Sequence, residues 1–231
     1  MPASNVNRYM WVSAIKSGME EAFAVELAGA GVQLRKRLLE QGVQTCSVFR
    51  EGRYLFTYLE ADCDIGSGAA AEAEVDSLWS WDERLSALLE SWPGIGREQN
   101  AYELRMNDIF HDDVPTEDVP WRRPGYTPTQ RVGSLARLKP EQYASYVFLH
   151  YQLQEEQPRL FNKYYIIGSF GEYIFSYHEL PAIVEPARKG LLATKETPPD
   201  WGVAMAPHFD PWPDLQEPWR VMEELFSMSR D

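Results

Sequence analysis

Cysteine is almost absent from this 231-residue chain: Cys46 and Cys63 are its only two, both in the first half. Their spacing forms neither a disulfide framework nor a metal motif, and Cys46 falls in an apolar run where a buried thiol is the ordinary role. Histidine is scarce as well, with four residues and no H-x-x-x-H pair, so the sequence shows no clustered metal-ligand motif. Bases are outnumbered, 22 Lys and Arg against 35 Asp and Glu, for a formal charge of −13 at pH 7. A field of that sign disfavours polyanions and anionic lipid surfaces, so nucleic acid and membrane are not expected partners. The one dense basic run, Arg35-Lys36-Arg37, reads as the wet face of a helix. No apolar stretch approaches 18 residues and the N-terminus lacks a charged-then-apolar export pattern, which makes the cytoplasm the expected location.

What is present suffices for a sizeable core, 44% of the chain being hydrophobic and 13% aromatic, and the length suits one large domain or two of roughly 100 residues each. Arg8 to Ile15 alternates like a strand, and Lys16-Ser17-Gly18 turns the chain. Phe23, Leu27, Leu34 and Leu38 then recur at helical spacing up to a C-capping Gly42. Thr45–Phe49 and Tyr54–Leu59 flank a glycine turn and read as a hairpin. A second helix is expected over Glu72–Leu89, ended by Trp92-Pro93-Gly94, and a closing strand over Tyr102–Phe110. The order β-α-β-β-α-β is the split βαβ arrangement, with both helices on one face of a four-stranded sheet.

Residues 112–130 carry four prolines and little periodicity, so they read as a linker, with Trp121 as its anchor. The same order then restarts: a strand over Val132–Leu138, a helix from Glu141 to about Glu155, a hairpin of Tyr164–Ile167 and Tyr173–His178, and a closing strand within Trp219–Met228. Tyr54-Leu55-Phe56-Thr57-Tyr58 answers Tyr173-Ile174-Phe175-Ser176-Tyr177, each with a glycine two residues ahead, which argues for an internal repeat. The second copy departs between Pro181 and Pro218, where only a short helix around Glu185–Lys195 is expected. The expected division is 1–111, a linker over 112–130, and 131–231. A sheet with both helices on one side leaves its other face uncovered, and packing the two sheets together would cover both.

Tyr146 and His150 are four apart and share a helical face. A histidine among aromatics is often a buried, hydrogen-bonded core residue; the functional alternative is an imidazole moving a proton near neutral pH. His111 lies beside Asp112 and Asp113, which admits either a metal-binding group or an exposed strand end. His178 could line a pocket or end a strand, and His208 sits in a loop that could close over one.

Lys139-Pro140 followed by Tyr146-Val147-Phe148-Leu149-His150, then Tyr164 ahead of Gly171, and finally Trp219-Arg220-Val221-Met222-Glu223-Glu224-Leu225-Phe226, resemble the L-rhamnose mutarotase family. The resemblance implies ferredoxin-like units that pair through their sheets as a dimeric α/β barrel, here within one chain. The first half resembles the family through Lys16-Ser17-Gly18, Phe49-Arg50-Glu51-Gly52 and Asp108-Ile109-Phe110-His111. Its helical positions, however, hold Phe23 and Leu27, with Thr45 at the strand position, so the first copy reads as a scaffold.

The resemblance implies an enzyme that interconverts the anomers of a monosaccharide or similar polyol without a cofactor. An acid protonates the ring oxygen while a base removes the anomeric proton, and the ring opens, rotates and recloses. His150 and Tyr146 are the catalytic candidates, with Tyr164, Trp201, Trp219 and His178 as substrate-binding candidates. The alternatives are a non-catalytic sugar-binding or structural protein of the same fold, and a monooxygenase-like enzyme needing a larger, drier cavity. The expected assembly is a pseudo-dimer within the chain, to which further self-association could be added.

Overall fold

The computed structural model describes residues 6–62, 78–79, 82–92, 102–116 and 119–230. It is an α+β protein with two five-stranded antiparallel sheets, each accompanied by helices, as in tandem ferredoxin-like units. In the first sheet, β1 (Asn7–Ala14) is followed by α1 (Glu20–Glu40), β2 (Val43–Glu51) and β3 (Tyr54–Ala61). In the second, β6 (Gln130–Arg137) leads through a 3-10 turn to α3 (Tyr143–Glu156), β7 (Ile166–Phe170) and β8 (Tyr173–Leu180). The turn glycines Gly52 and Gly171 take φ of 56° and 57°, which an L side chain would resist, so both hairpins close the same way. Gly42, with φ 83°, ends α1 as a residue just past the C-cap.

The repeat is deeper than the matching hairpins. Ile15 bridges Leu89 past the short α2 (Glu83–Ala87), and Leu138 bridges Phe209 past the equally short α4 (Trp201–Met205). Lys16 Nζ donates to the Ala87 carbonyl at 2.7 Å, and Lys139 Nζ to the Pro207 carbonyl at 2.9 Å.

The expected closing strands are both broken. The first divides at Met106 into β4 (Glu103–Arg105), paired with β1, and β5 (Asn107–His111), paired with β7. The second divides at Met222 into β9 (Arg220–Val221), paired with β6, and β10 (Glu223–Ser229), paired with β2. The sheet orders are therefore β10-β2-β3-β1-β4 and β5-β7-β8-β6-β9. Both methionines are buried, and their amides bond to the Met10 and Gly133 carbonyls at 2.8 and 2.9 Å. The compact units follow this exchange rather than continuous halves. Unit 1 is 1–106, 115–124 and 223–231, and unit 2 is 107–114 and 125–222.

Two further expectations change. No helix forms over 185–195; 181–200 is irregular, broken by Pro181, Pro186, Pro198 and Pro199, and the helix begins at Trp201 under the Asp200 cap. Of the expected 72–89 helix, α2 is described, while most residues before it, like Cys63, lie outside the described residues. Cys46 is fully buried. Among the described residues no helix is long and apolar enough to cross a membrane.

Sequence reasoning missed a duplicated polar cluster. β3 and β8 alternate, so Leu55 and Leu59 join the core under α1 while Tyr58 and Glu60 point to the opposite face. Tyr58 donates to Glu60 at 2.5 Å, and Tyr177 donates to Glu179 at 2.7 Å; all four side chains are buried. Arg8 and Arg131 stand directly opposite these glutamates in the strand registers. In unit 1, Arg122 donates to Glu60 at 2.7 Å and Trp121 covers Arg8 at 5.0 Å, which docks the proline-rich segment. Burial would raise the Glu60 pKa, but the Arg122 charge and hydrogen bond, the Arg8 charge and a Trp121 hydrogen bond together outweigh it and hold the carboxyl below its usual value.

Candidate functional site in unit 2

α3 presents Tyr146 and His150 to the interior because β5 packs against that face, with Ile167 of β7 in the same core; both are at most 5% exposed. Their rings stack at 4.0 Å and 31°. His150 Nδ1 sits 2.9 Å from the Tyr146 carbonyl, which can only accept, so Nδ1 carries the proton. Nε2 is left as a lone-pair acceptor with no hydrogen-bond partner among the described residues. Burial lowers the His150 pKa to about 4, a drop that the Tyr146 bond opposes and nearby His208 reinforces. The imidazole is thus neutral at pH 7 rather than poised near neutrality.

Beside His150 lies a cavity of about 370 Å³, within the range that small-molecule sites occupy. Phe110, Leu153, Phe161, Leu180 and Ala182 make its apolar wall, and His150, His178, Tyr165, Asn162 and Trp201 supply the polar atoms. None of these is charged at neutral pH, since burial also lowers the His178 pKa. Nδ1 of His178 is buried without a hydrogen-bond partner. The Tyr165 phenol bonds to Ser176 and is pushed up to about 12 by burial, so it stays protonated. The Tyr146 phenol is raised well above its usual value, first by burial and then by Tyr165.

The site residues expected from the sequence divide. His150, His178 and Trp201 line the cavity, and Tyr146 backs His150. Trp201 meets the His150 ring edge to face at 4.9 Å and 77°. Tyr164 does not line it: it is fully buried and stacks on Tyr126 at 5.3 Å. Its neighbour Tyr165 lines the cavity instead, since adjacent side chains leading into β7 face opposite ways. Trp219 packs on Phe209 instead.

Asp112 and Asp113 turn away from His111. The Asp112 carboxylate accepts from the amides of Leu160, Phe161 and Asn162 at 2.8–3.1 Å, which fixes the turn carrying Phe161 and Asn162 into the cavity wall. Asp113 pairs with Arg159 at 3.0 Å, and His111 with Asp108 at 2.9 Å. Among the described residues no group of three or more His, Cys, Asp or Glu is placed to hold a metal ion. His208 is bonded at both ring nitrogens, to the Met205 carbonyl and the Ser145 hydroxyl, which makes it a structural residue.

Unit 1 holds packed apolar groups at the corresponding described positions. Phe23 and Leu27 are buried, and Trp79 closes on Phe23 at 5.4 Å with its indole nitrogen bonded to Ser13. Thr45 spends its hydroxyl on the Met228 carbonyl. These groups can neither accept nor donate a substrate proton.

No family model matches the chain, and no curated protein matches it. Among solved structures, a "putative monooxygenase" from Fusobacterium nucleatum is similar over 100% of this chain and 96% of that one, at 9% identity and a TM-score of 0.39. The likeness is distant, assigns no family and carries no argument about activity.

Proposed function

We propose that unit 2 binds a small neutral polyol, such as a monosaccharide, beside His150 and exchanges protons with it, opening and closing its hemiacetal ring. The observation that carries this reading is the fixed tautomer of His150. With Nδ1–H committed to the Tyr146 carbonyl, Nε2 is an acceptor beside an uncharged cavity. In the forward step Nε2 takes the anomeric hydroxyl proton while a protonated phenol, Tyr165 foremost, gives one to the ring oxygen. The C1–O5 bond breaks and a carbonyl forms; after rotation about C1–C2 the same transfers reverse, so no atom or electron is gained or lost. Trp201 offers a flat apolar face to one side of a sugar ring, and the uncharged lining disfavours carboxylate and phosphate sugars.

A second reading, binding without chemistry, is favoured by the burial of His150, which lowers its pKa to about 4 and makes it a weak base. Saturation-transfer NMR across a panel of neutral sugars separates the two. Enhanced anomer exchange that disappears in His150→Ala supports catalysis. Binding without exchange supports the second reading, and neither binding nor exchange removes both.

A further inference from the structure

α3 ends on Glu155 and Glu156, with no basic residue in its last turn. Negative charge there opposes the helix dipole, so these carboxylates do not serve the helix itself. They serve the irregular strap that follows Pro186. The Glu156 carboxylate gathers four donors from it: the Thr194 hydroxyl, the Glu196 amide at 3.0 Å, the Thr197 amide at 2.8 Å and the Thr197 hydroxyl. Burial would raise its pKa, but these bonds outweigh that and hold the group well below the usual carboxylate range. Glu155 adds its side chain to the Leu191 amide at 3.3 Å and its carbonyl to the Leu192 amide at 3.2 Å. The latter satisfies one of the carbonyls that a helix end leaves unpaired. Gly190 crosses so closely that a Cβ there would lie 1.8 Å from the Glu155 carbonyl oxygen.

From Thr197 the chain runs through Pro198 and Pro199, whose fixed φ leaves little freedom. It then enters α4, where Asp200 caps the Val203 amide at 3.0 Å. The next residue past that cap is Trp201, the ring set against His150. A carboxylate six residues beyond His150 on the same helix is therefore joined to Trp201 by a short, stiff segment.

We propose that Glu156 is a positioning residue: by pinning the strap at Thr194–Thr197 to the end of α3, its carboxylate holds Trp201 over His150 and keeps the cavity closed on that side. The proposal rests on unit 2's cavity being the working site, but its test needs no ligand.

The test follows the His150 imidazole by NMR titration in the intact protein, with amide exchange at Glu196 and Thr197. In Glu156→Gln both amides are expected to exchange roughly tenfold faster, and the His150 midpoint to move from about 4 towards the ordinary 6.5 as water reaches the ring. Trp201→Ala should move it equally, and combining the two changes should add nothing to Trp201→Ala alone. Thr194→Val with Thr197→Val, which keeps the carboxylate and removes two donors, should give the same direction and serves if Glu156→Gln does not fold. An unmoved His150 midpoint in the released variants overturns the proposal, as does slow amide exchange in Glu156→Gln. Failure of every sugar to bind, with the His150 shift intact, would instead remove the functional reading and leave the positioning role standing.

Discussion

Nδ1 of His150 lies 2.9 Å from the carbonyl of Tyr146, one helical turn earlier, and the same two residues stack their rings at 4.0 Å. One contact fixes the tautomer and the other the ring plane, so Nε2 is the lone pair left for a ligand.

The depressed His150 pKa has a stability consequence. Above pH 6.5 the imidazole is neutral whether folded or unfolded. Between 6.5 and about 4 the unfolded chain takes up a proton that the folded chain refuses, so stability falls as pH falls through that window. The gap corresponds to about 3 kcal/mol. Urea unfolding at pH 7.5 and 4.5 is expected to show a larger loss for the native chain than for His150→Gln, by about that amount. Equal losses would mean that the imidazole titrates normally.

Arg122 compensates a glutamate with no solvent exposure. Arg122→Ala should destabilise the chain by up to about 3–5 kcal/mol, because it leaves the buried Glu60 charge with only Arg8 to offset it. Adding Glu60→Gln should recover part of that loss. Denaturant midpoints of the two single variants and the double variant measure the coupling directly.

Tyr165→Phe and Tyr164→Phe differ by one position and by opposite expectation. Loss of the Tyr165 phenol should lower anomer exchange by roughly 10²-fold, the usual worth of a positioned proton donor. Loss of the Tyr164 phenol should leave the exchange rate nearly unchanged, since that ring stacks on Tyr126 away from the cavity.

Gly190→Ala should displace the strap, since a methyl group cannot occupy space 1.8 Å from a helix carbonyl. A loss of about 1–3 kcal/mol is expected, with faster exchange of the Leu192 amide as the local marker.

The hairpins were legible because Tyr-x-Phe-x-Tyr alternation after a glycine turn is local information. The strand exchange was not: Glu103–Arg105 and Asn107–His111 are alike in strand character, and only tertiary pairing sends one to β1 and the other to β7. The Tyr–Glu pairs lie just past the evident repeat: two residues beyond Tyr58 and Tyr177, Glu60 answers Glu179. The resemblance points to Tyr164, and nothing local separates it from Tyr165, whose ring faces the opposite way. For α4 the signal was present in Pro198-Pro199-Asp200-Trp201, an N-cap directly before an apolar turn. His150 could be read from its spacing to Tyr146, but its low pKa depends on burial against Phe110 and Trp201, which no local pattern encodes.

The most direct measurement is histidine-selective ¹⁵N NMR while neutral sugars are added to the intact protein. A sugar whose anomers exchange faster should move the His150 Nε2 signal as that nitrogen accepts a hydroxyl, while His208, bonded at both ring nitrogens, stays in place. Accelerated exchange with the His150 signal unmoved, or no sugar that moves it, would contradict a working site at His150.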